Sequence, residues 1–269
     1  MFPRWDVCFP VRCFPVRSQV RFPRDRRWRR DHDRGTGLGL ATATALARGG
    51  SAVVVAGRDA AAARATADGL LAEGLSAEAV TMDVARPQSI AAAAETIRVR
   101  HGRLDVLVNN AGILPEAASS AAPEFLDAAV LAHTFETNVF GAVAVIEAFL
   151  PLLHLSDAGR IVNVSSTMGS LNDQSDPDSP YYSTVVPAYQ ASKAALNSIT
   201  IGLSKRLAGT PLKVTSVCPG WVQTDLAPGN REQAPTSADE AARVVVRAAT
   251  LPAPAASGTF VDSAGTVPW

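Results

Sequence analysis

The sequence predicts an α/β fold in which one doubly wound parallel sheet carries helices on both faces. From Ser51 to the C-terminus, short apolar runs alternate with helix-length segments. Several runs are apolar at consecutive positions, as in Val53–Val55, which is typical of parallel strands buried on both faces. With 269 residues, of which 47% are apolar, the chain is long enough to enclose such a sheet in one domain.

The first half of the chain is predicted to alternate three helices with three strands. A glycine-rich turn opens the first helix, an alanine run defines the second, and Pro87 stands where proline commonly begins a helix. β-Branched and apolar residues define the strands. The helices are predicted at 40–48, 59–73 and 87–100, and the strands at 51–57, 78–82 and 104–109.

The second half begins with a long apolar helix, 123–153, which has Pro151 near its end. A strand at 159–166 ends in two serines, and a loop rich in Asp, Ser and Pro follows at 172–182. Acidic residues after Ser237 indicate the start of a last helix. The remaining elements are predicted as a helix from 187 to about 207, a strand at 212–218 and a closing edge strand at 258–262.

Residues 1–34 do not fit this alternation. They contain ten Arg and four Asp, a net charge of +6, whereas the rest of the chain has a net charge of −6. The charged run Arg26–Arg34 stands where an apolar first strand is needed, and unpaired charges are costly inside a sheet. We therefore expect a first strand that is atypical or missing, with a gap or an exposed edge beside the glycine turn.

Three interpretations of residues 1–34 stay open. We favour a sequence or gene-model artefact such as a shifted reading frame. The others are a disordered basic arm and an organelle-targeting peptide, although the segment has a single serine, Ser18. Contact of the arginines with nucleic acid or a membrane surface is disfavoured, because no aromatic residues interleave with them in a folded module.

Composition narrows the class of protein. The three cysteines suggest no disulfide framework, and no Cys/His spacing indicates a metal site. No uninterrupted apolar run reaches the roughly 18 residues of a membrane span, and the N-terminus lacks the apolar segment of a secretory signal. We expect a cytoplasmic protein with no metal and with no nucleic-acid or membrane partner.

Tyr189 and Lys193 are the most informative pair of residues. Four positions apart on a predicted helix, they lie on one face, one turn from each other. The positive charge is expected to lower the tyrosine pKa from its ordinary value of about 10. A tyrosine of this kind can transfer a proton to or from a carbonyl or alcohol oxygen. An ordinary tyrosine on an exposed helix face is the simpler alternative.

Five segments, in this order, resemble the single-domain short-chain dehydrogenases/reductases. They are Gly37–Gly39, Asn109–Gly112, Ser166, Tyr189–Lys193 and Pro219–Thr224. Cys218–Asp225 and the terminal Trp269 are similar to the carbonyl-reductase branch. The resemblance implies a Rossmann-like domain, 35–269, which binds a nicotinamide cofactor.

The resemblance also implies four catalytic residues. Tyr189 would transfer the proton, Ser166 would hydrogen-bond to the substrate oxygen, and Lys193 would bias the charge and hold the nicotinamide ribose. The backbone of Asn138 would position a water that links Lys193 to solvent.

Cofactor contacts are implied along the carboxyl edge of the sheet. Asp83 would accept from the adenine amino group, unless it only caps a helix, and Thr224 would hold the nicotinamide carboxamide. Asp33 stands where the family has the first glycine of its glycine-rich turn, and a carboxylate there would repel the diphosphate. Alternatively, Gly35 takes the place of that glycine in a shifted alignment of the turn. The expected cofactor-binding residues are Gly35, Gly37, Leu38, Gly39, Arg58, Asp83, Val84, Asn110, Ala111, Gly112, Tyr189, Lys193, Pro219, Gly220, Val222 and Thr224.

Arg58 favours NADP(H) over NAD(H). It directly follows the strand at 51–57, where an acid would pair with the ribose 2′-hydroxyl and an arginine accommodates a 2′-phosphate. Asp59 beside it weakens this inference, and a surface arginine is the alternative.

We therefore expect an NADPH-dependent oxidoreductase that reversibly reduces a ketone, aldehyde or quinone to an alcohol. Its partner would be this small molecule, and the protein would be a monomer or a homo-oligomer. The first alternative is a cofactor-defective or non-catalytic relative, because of the disrupted nucleotide-binding strand. A second alternative, binding of nucleic acid by the arginine arm, predicts salt-sensitive affinity that disappears with residues 1–34.

Overall fold

The computed structural model describes residues 6–8, 37–118 and 124–269. Within these residues, seven parallel strands form one sheet. The strands are β1 (Asp6–Cys8), β2 (Val53–Gly57), β3 (Ala77–Thr81), β4 (Val106–Asn109), β5 (Arg160–Val164), β6 (Lys213–Val217) and β7 (Thr259–Val261). Their spatial order is β3-β2-β1-β4-β5-β6-β7, so the chain winds outward in both directions from the centre of the sheet. The predicted doubly wound parallel sheet is confirmed.

Helices connect the strands. They are α1 (Leu38–Arg48), α2 (Ala60–Ala72), α3 (Pro87–His101), α4 (Ala128–Phe135), α5 (Ala142–Leu153), α6 (Leu171–Ser175), α7 (Pro187–Arg206), α8 (Asn230–Gln233) and α9 (Ala238–Ala249). Most lie within two residues of their predicted bounds. Two short ones, α6 and α8, lie in segments that we predicted as irregular.

Alternate strand residues face two separate apolar cores. Val53 and Val55 of β2 belong to a core shared with α1, α2 and α9, whereas Val54 packs into a core with α3 and α5. Both faces of the sheet are covered, which explains why the strands are apolar at consecutive positions.

A three-residue segment lies between β2 and β4 at the centre of the sheet. Asp6–Cys8 pairs with both central neighbours: Val7 is in register with Val54 of β2 and with Leu107 of β4. This segment lies far upstream of the glycine turn, and the expected gap or exposed edge beside that turn stays a prediction, because residues 9–36 lie outside the described part of the chain. Without a strand between them, β2 and β4 would leave backbone N–H and C=O groups unpaired at the centre of the sheet. A short extended segment within reach can form hydrogen bonds with these groups. Residues 21–34, which we expect outside the sheet, lie beyond the described part of the chain.

The long apolar helix predicted at 123–153 is present, but it begins at Ala128, later than predicted, and it contains one irregularity. It runs from Ala128 to Leu153, but a π-helical segment, Glu136–Gly141, separates α4 from α5. Asp127 caps its start by accepting from the N–H groups of Ala129 and Val130. By length and composition this helix could cross a membrane; half of its most apolar stretch is buried inside the protein, which is typical of a core helix.

Candidate active site

A cavity of about 920 Å³ lies at the carboxyl edge of the sheet. The loops that follow β4, β5 and β6 contribute Asn110, Ser166 and Pro219 to its wall, and α7 contributes Tyr189 and Lys193. Because strands in a parallel sheet end at the same edge, residues distant in sequence meet here. The cavity is within the size range of small-molecule sites.

Tyr189 is the third residue of α7 and is only 5% exposed. Burial raises the pKa of its phenol above the ordinary value, a nearby Cys218 thiolate would raise it further, and a hydrogen bond with Ser166 lowers it. Removal of the phenolate from water outweighs the hydrogen bond. The phenol is therefore held in its protonated form.

Lys193 lies one turn further along α7 and is 4% exposed. Its Nζ donates to the carbonyl of Val164 at 2.9 Å and is 5.5 Å from the centre of the Tyr189 ring. Burial lowers the pKa of Lys193 to about 8, and an electrostatic interaction with Cys218 partly offsets this shift. The ammonium therefore loses its proton much closer to neutral pH than an exposed lysine does.

The expected lowering of the Tyr189 pKa by Lys193 is wrong for this structure. The two residues do lie together on one helix face, as predicted. Both are enclosed, however, and desolvation of the phenolate dominates its proton affinity. The four-residue spacing predicts that the two side chains lie close together. The direction in which the tyrosine pKa shifts depends instead on how deeply the phenol is buried.

The two serines after β5 have different partners. The Ser165 hydroxyl donates to the Lys193 carbonyl at 3.4 Å, whereas the Ser166 hydroxyl accepts from the Met168 N–H and acts to lower the pKa of Tyr189. Gly169 ends the turn, and a Cβ added there would lie 2.7 Å from the Lys193 backbone.

Asn138 lies in the π-helical segment and is 1% exposed. Its side chain binds both backbone groups of Ile113: Oδ1 accepts from the N–H at 2.8 Å, and Nδ2 donates to the carbonyl at 3.0 Å. Nδ2 also donates to the Ser192 hydroxyl at 3.0 Å. Asn138 thus ties the loop after β4 to α7 beside Lys193. π-Helical segments occur frequently at functional sites.

The start of α1 fits the diphosphate of a dinucleotide. Gly37 is the N-cap residue and has no side-chain cap, and no atom of the described residues lies within 4 Å of where a Cβ would stand; α1 has no acidic residue in its first turn. Gly37, Leu38 and Gly39 line the cavity, and the N-terminus of a helix attracts anions through its free N–H groups and its dipole. Gly35 lies outside the described residues.

Other expected cofactor residues also lie around the cavity. An added Cβ at Gly112 would be 3.4 Å from Lys193 Nζ, and Gly220 has a φ of +87°, which favours glycine. Besides Tyr189, Lys193 and the three residues at the start of α1, six expected residues line the wall: Asn110, Gly112, Pro219, Gly220, Val222 and Thr224. Ala111, between two of them, is exposed.

Arg58, Asp83 and Val84 lie outside the cavity wall. Arg58 is exposed, and among the described residues it has no ion pair; its neighbour Asp59 caps α2 by accepting from Ala61 and Ala62. Asp83 accepts from the Ala85 N–H and pairs with Arg86 at 3.3 Å; Arg86 is the N-cap residue of α3, so the alternative that Asp83 caps this helix is wrong. Val84 packs against Gly141, where a Cβ would be 2.9 Å from its carbonyl.

Two further residues of the site are absent from the sequence predictions. Glu116 accepts from the backbone N–H groups of Ala188 and Tyr189, and Cys218 accepts a hydrogen bond from Thr167 at 2.9 Å. No sequence pattern connects Glu116 with a helix that begins about 70 residues later. In the described ranges, no three His, Cys, Asp or Glu side chains are grouped to hold a metal ion.

The chain matches the family model for short chain dehydrogenases over residues 34–235. It is 32% identical to short-chain dehydrogenase/reductase 1 of Saponaria officinalis, over 80% of this chain and 87% of the relative. It is 31% identical to carbonyl reductase [NADPH] 1 of Bos taurus, over 81% of this chain and 88% of that protein.

A solved structure of NADPH-bound carbonyl reductase from chicken fatty liver is also similar. It superposes with a TM-score of 0.74 and 25% identity, covering 87% of this chain and 95% of that one. The family match spans three quarters of the sequence and includes every candidate catalytic residue. The protein therefore belongs to the short-chain dehydrogenase family as an NAD(P)-dependent oxidoreductase similar to carbonyl reductases.

Proposed function

We propose that this oxidoreductase uses NADPH to reduce a ketone, aldehyde or quinone to an alcohol, reversibly. The observation that carries the proposal is the meeting of Ser166, Tyr189 and Lys193 at one cavity wall, with Lys193 Nζ 5.5 Å from the centre of the Tyr189 ring. Reduction of a carbonyl requires a proton donor at oxygen, and a phenol whose pKa is raised by burial carries that proton at neutral pH.

Each residue has a separate task in this proposal. The phenol of Tyr189 gives its proton to the substrate oxygen, and the Ser166 hydroxyl donates a hydrogen bond to the same oxygen. Lys193 in its charged form stabilises negative charge that develops there. The reduced nicotinamide, when bound, supplies the hydride to the carbonyl carbon.

The cofactor is proposed to be NADP(H) rather than NAD(H). The exposed guanidinium of Arg58 follows β2, where the 2′-substituent of the adenosine ribose would lie. Similarity to NADPH-dependent and NADPH-bound carbonyl reductases supports this preference. Asp83, Val84 and the cavity-wall residues would complete the cofactor site. Cytoplasmic location and action on a small molecule without nucleic acid or membrane belong to the same proposal.

Tyr189→Phe tests the catalytic assignment. It removes the proton donor and keeps the ring, so turnover of 4-nitrobenzaldehyde with NADPH should fall by at least about 100-fold while the fold stays intact. Tyr182→Phe is the matched control, because Tyr182 is half exposed and lies outside the cavity wall. A Tyr189→Phe variant that keeps most of its activity would remove Tyr189 from the mechanism.

The alternative is a relative that binds cofactor poorly. The charged residues before Gly37, including Asp33, favour it. Direct titration of NADPH binding by fluorescence distinguishes the two proposals, since the alternative predicts weak binding even though Tyr189 and Lys193 are in place.

A further inference from the structure

The first turn of α7 is capped by a carboxylate from a distant part of the chain. Val186, the residue before the helix, has no hydrogen-bonding side chain, and Pro187 has no N–H. The next two N–H groups donate to Glu116: Ala188 to Oε1 at 3.0 Å and Tyr189 to Oε2 at 2.8 Å. Each carboxylate oxygen serves one donor, and one of the donors is the backbone of the proposed proton donor itself.

Glu116 belongs to a segment that also lines the cavity. It lies in a short 3₁₀ turn, Pro115–Ala118, after β4, and its neighbours Leu114 and Ala117 contribute to the cavity wall. Three residues earlier, Ile113 is held by Asn138, which also binds Ser192 of α7. The segment 113–116 is therefore attached to α7 at two points, one on each side of Tyr189.

The two attachments differ in what they restrain. The Asn138 contact reaches α7 at Ser192, and the Ser192 hydroxyl donates to the Tyr189 carbonyl at 2.7 Å. The Glu116 contact restrains the N–H of Tyr189, in the turn that carries the phenol. Together they restrain both backbone groups of Tyr189, and the dipole of α7 adds attraction for the Glu116 carboxylate.

We propose that Glu116 is a positioning residue, which sets the place of the Tyr189 phenol relative to the substrate oxygen by capping the first turn of α7. This inference rests on the proposed role of Tyr189. Proton transfer needs the donor within hydrogen-bond reach of the oxygen, and a small displacement of the first turn lengthens that distance. Glu116 itself does not line the cavity, so its loss removes no direct contact at the start of α1, where the diphosphate is proposed to bind.

The test compares Glu116→Ala and Glu116→Gln with a matched control, Asp127→Ala. Asp127 also caps a helix through two N–H groups, at 2.7 and 3.2 Å, but these groups belong to α4 and not to the helix that carries Tyr189. With saturating NADPH and 4-nitrobenzaldehyde, Glu116→Ala should lower kcat by about 10-fold or more. The Kd for NADPH should change by less than about two-fold, because α1 and its anion site are intact. Asp127→Ala should keep the wild-type kcat.

The conservative variant Glu116→Gln tests whether a similar side chain restores the lost kcat. An amide keeps one acceptor oxygen, so this variant should recover part of the kcat lost in Glu116→Ala. A wild-type kcat for Glu116→Ala, in a protein that Tyr189→Phe inactivates, overturns the positioning role and leaves the proposed function standing. A Tyr189→Phe variant that retains activity overturns the proposed function instead.

Hydrogen exchange gives a readout that does not depend on turnover. Peptides that contain Ala188 and Tyr189 should exchange faster in Glu116→Ala than in the wild type, because both N–H groups lose their acceptor. Exchange should be unchanged there in Asp127→Ala. Equal exchange in Glu116→Ala and the wild type would show that Glu116 does not hold the first turn, whatever the activity.

Discussion

Burial determines the protonation of the two residues that are proposed to handle the proton. Desolvation raises the pKa of Tyr189 and lowers that of Lys193, so enclosure favours the neutral form of both side chains. A protonated phenol suits reduction, in which tyrosine must give a proton. Oxidation of an alcohol would require the phenolate, which this enclosed site disfavours.

The first prediction concerns pH. Lys193 is charged below its pKa of about 8 and becomes neutral as the pH rises through this value. Because only the ammonium stabilises negative charge on the substrate oxygen, kcat/KM for reduction should fall as the pH rises above about 8. In Lys193→Arg, whose guanidinium stays charged, residual activity should lack this decline. A decline at the same pH in both proteins would assign the titration to another group.

The second prediction concerns cofactor choice. Arg58 is exposed at the end of β2, and its neighbour Asp59 is engaged in capping α2. Arg58→Ala should therefore raise the Kd for NADPH about 10-fold or more and leave that for NADH nearly unchanged, because only NADPH has the 2′-phosphate. Arg64→Ala, an exposed arginine on α2, is a suitable control. Equal losses for both cofactors would identify Arg58 as a surface residue without this role.

At the scale of elements, α7 is held against the sheet by polar contacts as well as apolar ones. Asn109, Asn163 and Ser216 are aligned across β4, β5 and β6. Asn109 donates to Asn163, and both Asn163 and Ser216 donate to Thr200 of α7. These groups are buried and satisfied by one another, which defines how α7 lies on the sheet. The position of Lys193 follows from that placement.

The third prediction tests the close approach between the turn after β5 and α7. A Cβ added at Gly169 would lie 2.7 Å from the carbonyl carbon and from Cβ of Lys193, so the two elements must separate. Gly169→Ala should lower the free energy of unfolding by about 1–3 kcal/mol and reduce kcat, because Ser166 and Lys193 lie on the two separated elements.

Gly202→Ala is the matched control on α7. A Cβ there would meet nothing within 4 Å, and alanine is the better helix former, so this variant should be more stable than the wild type by about 0.5–1 kcal/mol. Urea unfolding measures both changes. Similar effects of the two substitutions would contradict the close approach at Gly169.

At the scale of the whole molecule, the centre of the sheet depends on a short strand. β1 contributes three residues between β2 and β4, and it lies well upstream of the helix start at Leu38. In a Rossmann-like fold the first strand leads directly into the turn that receives the diphosphate, which couples sheet stability to cofactor binding.

The fourth prediction concerns this coupling. Replacement of residues 21–34 with an apolar strand followed by Thr-Gly, directly before Gly35, should raise the melting temperature and increase the further rise that NADPH produces. The charged residues now at these positions cost several kcal/mol each when desolvated, comparable with the roughly 5–15 kcal/mol stability of a domain. Thermal melting of both proteins, with and without NADPH, measures the difference. If the original chain already melts cooperatively and NADPH stabilises it strongly, the segment does not impair the cofactor site.

The sequence by itself determined the alternation of strands and helices, the parallel sheet and the cavity-wall position of Ser166, Tyr189 and Lys193. These features follow from local patterns: apolar runs, glycine turns and a four-residue spacing on one helix. The tertiary structure alone decided that the pKa of Tyr189 lies above its ordinary value. It also decided that Glu116 caps α7 and that Asn138 joins Ile113 to Ser192. It also decided that Asp6–Cys8 occupies the centre of the sheet. Each of these depends on burial or on contacts between residues far apart in the chain, and no local pattern carries that information.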